Sequence, residues 1–331
     1  MKTALIRIFL AVSVLLVAVA TWAALEGHRR FTAPGPAVEP TTIVIPKGAG
    51  LEAIARRLQA AGIVPDIYSF MIGTRIRAAT LRAGEYAFPA RVSPEAAMRQ
   101  IAEGRTVVHK LTIAEGLTVK QVMALVAGTD FLAGEVGKPS PEGWLLPETW
   151  HLSRDDDRAE LMARMEKSMR QYLEQAWASR AQGLPLKTPA EALILASVVE
   201  RETAVRDERP KVAAVFLNRL KRGMRLQSDP TVIYGLSDGL GVLDRPLSRA
   251  DLEKPHRWNT YVLEGLPATA IANPGKASLD AVLHPADIDA LYFVADGSGG
   301  HAFAQSLDEH NRNVAQWRKV EKARKPEPAR K

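Results

Sequence analysis

The chain has 331 residues, 47% hydrophobic and 24% charged, which describes a folded protein with room for two domains behind any targeting segment. It contains no Cys, so disulfides, thiolate metal sites and a cysteine nucleophile are excluded. A formal charge of +7 suits nucleic acid, anionic lipid or an acidic polymer, and the low aromatic content without a nucleic-acid motif argues against the first.

Lys2 and Arg7 precede an apolar run over residues 8–25, close to the minimum length for a membrane span. Ala18 and Ala20 offer small residues for signal-peptide cleavage. Trp22 and the continued apolarity to Leu25 favour an uncleaved anchor instead. Arg29 and Arg30 follow the span, which weakens the positive-inside signal. FTAPGPAVEP (31–40) reads as a Pro-rich spacer.

The β-branched stretch 41–45 reads as a strand, and Pro46-Lys47-Gly48 as a turn. Leu51, Ile54, Ala55 and Leu58 share one face of a helix that Gly62 stops, and Asp66 caps a second helix through Ile76. A short strand at 84–88, a helix started by Ser93-Pro94 and ended at Gly104, and a strand at 106–113 follow. The strand–helix–helix–strand order is similar to a LysM module, a small fold often used to bind glycans. A plain structural subdomain accounts for that order equally well.

Thr118 and Gln121 form a capping box that starts a helix to Ala127. EGWLLPETW (142–150) sets Trp144 and Trp150 with two Glu in a Pro/Gly-marked loop. Such aromatics stack on sugar rings, or anchor a loop to the core. A long amphipathic helix covers 159–181.

Residues 188–234 carry the chemistry. Thr188 as N-cap, Pro189 and Glu191 open a helix. Residues 192–199 carry no charge, which marks a buried helix. Glu200 and Glu202 then stand at its C-terminal end. Apolar neighbours and the negative end of the helix dipole both raise a carboxyl pKa there, as a general acid requires. A helix that simply surfaces and exposes its acids fits the same pattern. Beyond it a helix spans 211–220, with Val212, Val215, Phe216 and Leu220 inward, and the polar turn of Gln227, Ser228 and Asp229 leads to Tyr234. Asp229, standing before Pro230, reads as a turn cap or as a second carboxylate. Ser248 starts another helix. Asn259-Thr260-Tyr261 and Asn273-Pro274-Gly275 are turn-rich segments that expose amides and hydroxyls. Residues 291–295 and 301–305 form a β-hairpin around DGSGG, and 308–322 a closing helix.

The seven His residues are scattered without HExxH pairing, and neither a GxSxG elbow nor a Walker loop is present. No metal and no cofactor is expected, and a lone His such as His284 or His301 reads as structural. What remains is an acid at the end of a buried helix together with neutral hydrogen-bonding groups, a set suited to glycosidic-bond chemistry.

ASVVERETAVRDERPKVAAVFLNRLKRGMRLQSDPTVIYGL, with EGWLLPETW, WNTYVLEGLPATAIANPGKASLDAVLHP and LYFVADGSGGHAF, resembles the YceG-like (MltG) family of endolytic murein transglycosylases across residues 41–320. ATAIANPG departs from the family's usual loop at Ala268 and Ala270. The resemblance implies an α+β chain: a cytoplasmic start and membrane helix (1–30), a linker (31–40), a LysM-like β/α subdomain (41–110), a mixed α+β lytic transglycosylase domain (111–320) and a basic tail (321–331). It implies an inner-membrane protein with its body in the periplasm. Glycan strands of peptidoglycan are the substrate, peptidoglycan synthases are candidate partners, and nucleic acid is not a partner. By motif the catalytic acid falls on Glu202, followed by Thr203. Substrate contacts are assigned to Thr203, Asn218, Gln227, Ser228, Asp229, Tyr234, Asn259, Tyr261 and Asn273. Glu202 would donate a proton to the glycosidic oxygen between MurNAc and GlcNAc and then take one from the MurNAc C6 hydroxyl. A hydrolytic muramidase with Asp229 as base, and a non-catalytic scaffold, are the competing expectations.

Overall fold

The computed structural model describes residues 2–324 and is mixed α+β with an N-terminal apolar helix. The chain divides into two compact units. One runs up to His109 and takes in His151–Asp155; the other comprises Lys110–Trp150 and the residues from Asp156 onward.

In the first unit α1 (Lys2–Thr32) is a single helix, and its stretch Leu5–Thr32 is long and apolar enough to cross a membrane. It is followed by β1 (Thr41–Ile45), α2 (Leu51–Ala60), α3 (Ile67–Ile76), β2 (Gly84–Phe88) and α4 (Pro94–Glu103). β1 and β2 pair antiparallel, Thr41 opposite Phe88 and Ile45 opposite Gly84. The helix ends obey local chemistry. The Asp66 carboxylate accepts from the Ser69 N–H at 2.8 Å, the Ser93 hydroxyl accepts from the Ala96 N–H, and Gly104 ends α4 with a φ of 70°. The core gathers Ile45, Leu58, Ile63, Phe70, Tyr86 and Ile101. Phe31, from the end of α1, is buried among them. The segment expected to be a spacer is tied down over its first half. The Gly35 N–H donates to the Val92 carbonyl at 3.1 Å, and a Cβ on Gly35 would lie 2.4 Å from that same oxygen.

Elements β3 (His109–Thr112), α5 (Val119–Ala127), β4 (Leu132–Ala133), β5 (Thr149–Leu152), β6 (Asp156–Asp157) and α6 (Arg158–Ala178) come next. The Thr118–Gln121 capping box forms as its sequence requires. α7 (Pro189–Glu202) is the central helix of the second unit. The Thr188 hydroxyl caps it, Pro189 opens it, and Leu193, Leu195, Ala196, Val198 and Val199 are essentially without exposure. It packs against α6, α8 (Arg209–Lys221), α9 (Asp229–Leu236) and α11 (Lys276–Leu283), with α10 (Arg249–Glu253) beside α9. A helix apolar on every side is stable only when wrapped in this way. Ser197, its one polar interior residue, donates to the Ile194 carbonyl and accepts from the Ile271 N–H at 3.0 Å, which fixes the loop before Asn273 to the helix. The expected hairpin forms from β7 (Tyr292–Ala295) and β8 (His301–Ala304), which pair antiparallel with Tyr292 opposite Ala304, and α12 (Leu307–Arg324) follows it. The rest of the basic tail, 325–331, lies outside the described residues.

Candidate active site

α7 delivers its last residue, Glu202, to a pocket of about 480 Å³ lined also by Arg219, Gln227, Asp229, Tyr261, Phe293 and His310. Burial among these groups raises the Glu202 carboxyl from 4.5 to about 6. The Ser228 hydroxyl, donating to Oε2 at 2.8 Å, opposes that rise, the negative charge of Asp229 adds to it, and His301 and Arg219 oppose it more weakly. Glu202 is therefore an acid poised near neutrality.

Ser228 is held rigidly for this task. It is buried, its N–H donates to the Thr260 hydroxyl at 3.0 Å, and its carbonyl accepts from the Thr231 hydroxyl at 2.6 Å. Thr231 and Thr260 lie 2.9 Å apart and neither is exposed. Gln227, just before Ser228, has a φ of 54°, a left-handed conformation that non-glycine residues adopt rarely and that marks functional turns. Its N–H donates to the Thr260 carbonyl. Asp229 is not a turn cap: Ser228 occupies the N-cap position of α9, and the Asp229 carboxylate accepts from the Tyr261 hydroxyl at 2.6 Å. Burial and this acidic partner push the Tyr261 phenol well above its usual range.

The other sequence candidates have their polar groups engaged elsewhere. The Thr203 hydroxyl accepts from the Val205 N–H and ends α7. Asn218 donates to the carbonyls of Ile288 and Ala290. The Tyr234 hydroxyl donates to the Glu142 carboxyl at 3.0 Å. Asn259 and Asn273, expected in exposed turns, are fully buried. Asn259 donates to the carbonyls of Leu252 and Lys254, and Asn273 accepts from the Leu145 N–H and donates to the Leu117 carbonyl. A loop that passes through the interior leaves backbone groups without water, and short amides satisfy them. Trp144 packs against the core with the Arg170 guanidinium over its ring at 4.3 Å, as a loop anchor does.

The two glutamates at the end of α7 separate cleanly. Glu200 accepts from Arg209 at 2.8 Å and from the Gly275 N–H at 2.9 Å, and its side chain is 4% exposed. It binds α7 to α8 and to the start of α11, and is not among the residues lining the Glu202 pocket.

Sequence reading missed Arg219 and His310, which line the pocket, whereas His301, read as structural, is not among the lining residues. Arg219 is buried, with Nε donating to the Leu291 carbonyl at 2.7 Å and Nη1 to the Leu226 carbonyl at 2.8 Å. It is a fixed positive charge in the pocket wall. Nδ1 of His301 lies 2.6 Å from Glu208. His310 stacks on Tyr292, and burial beside Arg219 keeps its ring below the usual imidazole range. Among the described residues no cluster of His, Asp and Glu is arranged to hold a metal ion.

A pocket of mixed polar and apolar lining around one buried, elevated carboxyl is suited to acid–base chemistry. The profile of the YceG-like family matches residues 43–316, and the chain belongs to that family. It is 29% identical over 304 residues to the endolytic murein transglycosylase of Bacillus subtilis (strain 168), covering 82% of each chain. It is 26% identical over 326 residues to the endolytic murein transglycosylase of Streptococcus pneumoniae serotype 2 (strain D39), covering 83% of this chain and 58% of that one. A crystal structure of a yceG-like protein from Listeria monocytogenes is 28% identical and aligns with a TM-score of 0.49 over 83% of this chain and 99% of its own.

Proposed function

We propose that this chain is an endolytic murein transglycosylase that cleaves the bond between MurNAc and GlcNAc inside glycan strands, with Glu202 as its acid and then its base. The observation that carries this is the Glu202 carboxyl, raised to about 6 and held by Ser228. Protonated Glu202 gives its proton to the glycosidic oxygen as the C1–O bond breaks. The Asp229 carboxylate, facing the same pocket, favours the positive charge that develops at C1. Glu202, now a carboxylate, takes the proton of the C6 hydroxyl, whose oxygen closes on C1. The product is a 1,6-anhydroMurNAc end, Glu202 is again protonated, and no water is consumed. Gln227 and Tyr261 line the same pocket and supply hydrogen bonds to sugar hydroxyls.

Asp229 also supports a second reading, hydrolysis, in which it would activate a water on the opposite face of the sugar. Its acceptance of the Tyr261 hydroxyl occupies one of its oxygens and weighs against that role.

In this reading α1 spans the inner membrane once, the second unit works in the periplasm, and cleavage is confined to glycan within reach of the membrane. The first unit serves as a LysM-like module that holds the glycan, and peptidoglycan synthases are the partners whose strands are cut. The test is digestion of isolated peptidoglycan by the full chain in detergent. Endolytic action shortens long strands before small fragments accumulate, and Glu202→Gln, folded by thermal melt, stops it. Release of disaccharides from strand ends at the outset, or a Glu202→Gln variant with wild-type activity, contradicts the proposal.

A further inference from the structure

α3 carries its hydrophobic residues on both faces. Phe70 and Thr74 are buried in the first unit, while Tyr68, Ile72 and Ile76, spaced four apart on the opposite face, are 71%, 57% and 76% exposed. An exposed apolar stripe of this regularity marks a surface that meets something other than water. Its neighbour is α1. Phe31 of α1 packs so close to Gly73 that a Cβ there would lie 2.5 Å from the ring, and Arg30 lies 3.8 Å from Asp66, the cap of α3. The two helices are locked together.

Ile72 and Ile76 line an apolar cavity of about 360 Å³ with Ala23, Ala24 and Gly27 of α1. These small residues belong to the end of the apolar helix. At about 1.5 Å per residue, Ala23 stands about 22 Å above Ile8, inside a hydrocarbon layer of about 30 Å. The stripe is therefore continuous with the surface that α1 presents to lipid, at the level where acyl chains meet headgroups. Arg75, exposed, flanks it, as basic residues do beside lipid phosphates, while Arg77 is paired with Glu95 at 2.6 Å.

We propose that α3 is a second membrane contact: Tyr68, Ile72 and Ile76 dip into the outer leaflet, acyl chains fill the cavity against α1, and the first unit is held on the bilayer surface. The proposal rests on reading α1 as a membrane span. It would hold the first unit at the outer face of the membrane without any protein partner.

The absence of Cys makes the test direct. Single-cysteine variants Val12→Cys in α1, Ile72→Cys and Ile76→Cys in α3, and Val108→Cys as an exposed position of the first unit outside α3 are nitroxide-labelled. The full chain is then reconstituted in vesicles of phosphatidylethanolamine and phosphatidylglycerol. Collision with oxygen, which concentrates in the bilayer, is compared with collision with a water-soluble nickel chelate. Positions 12, 72 and 76 should favour oxygen and 108 should favour nickel. If 12 favours oxygen while 72 and 76 behave like 108, the anchor stands and the α3 contact is wrong. If 12 itself favours nickel, the anchor reading fails and the proposal falls with it.

Discussion

Ser228→Ala and Asp229→Asn should move the pH dependence of catalysis in opposite directions. The Ser228 hydroxyl donates to the Glu202 carboxylate at 2.8 Å and steadies the anion, whereas the Asp229 charge disfavours it. A hydrogen bond to a charged group contributes about 1.5–3 kcal/mol. At about 1.4 kcal/mol per pH unit, its full loss would raise the carboxyl by about one to two pH units. Water entering the space left by the hydroxyl takes back part of this, so about one pH unit is expected. Because the reaction starts from protonated Glu202, kcat/KM is level below its pKa and falls above it. Wild type should therefore fall off above about pH 6. Ser228→Ala should hold its plateau to higher pH, while Asp229→Asn should fall off earlier and by a smaller displacement, since Asp229 acts through space in an open pocket. The assay is kcat/KM on a soluble glycan oligomer across the pH range, each variant normalised to its own plateau. Displacement of both variants in the same direction, or of neither, would refute the electrostatic account of Glu202.

Glu202→Gln should be more stable than wild type at neutral pH. A carboxyl raised on folding favours the protonated state, so its stability contribution is fully present below the unfolded value of 4.5 and is lost as pH rises to about 6. The rise corresponds to at most about 2 kcal/mol, which denaturant melts of the two proteins should resolve above pH 6 and not at pH 4. Glu200→Gln should retain the chemical step while losing about 3–5 kcal/mol, because it strips a charge from the buried Arg209 pair; Glu115, 3.1 Å from Arg209, sets the lower end. Asn273→Ala, which unpairs the Leu145 N–H, should lower Tm rather than shift KM, and an unchanged Tm with a raised KM would make Asn273 a substrate contact.

The features legible in sequence were those that local chemistry dictates. α7 announced itself through Thr188, Pro189 and eight uncharged residues, and the Thr118 box and the Ser93 and Asp66 caps did the same for their helices. α9 and α11 were not foreseen. Each has eight residues, too few for a periodic pattern, and each lies beside a Pro/Gly segment that reads as turn. Glu202, Gln227, Ser228, Asp229 and Tyr261 were recognised as candidates and come together around one pocket. Thr231 and Thr260, which position Ser228, could not be read because they meet from separate segments only after folding. Arg219 shares the inward face of Val212, Val215 and Phe216, where a long cationic side chain reads as one that reaches past the core to solvent, and the carbonyls of Leu226 and of Leu291, 72 residues on, meet it only after folding. Asn259 and Asn273 looked like ligands for sugar because a turn amide that satisfies buried backbone is indistinguishable in sequence from one that faces a substrate.

The central claim is that Glu202 passes a proton to the glycosidic oxygen and takes one back from the C6 hydroxyl without recruiting water. Digestion of peptidoglycan by the full chain in water labelled with heavy oxygen, followed by mass spectrometry of the new ends, tests it most directly. The account predicts 1,6-anhydroMurNAc ends with no label. Reducing MurNAc ends that carry heavy oxygen would contradict it and make Asp229 the base of a hydrolase.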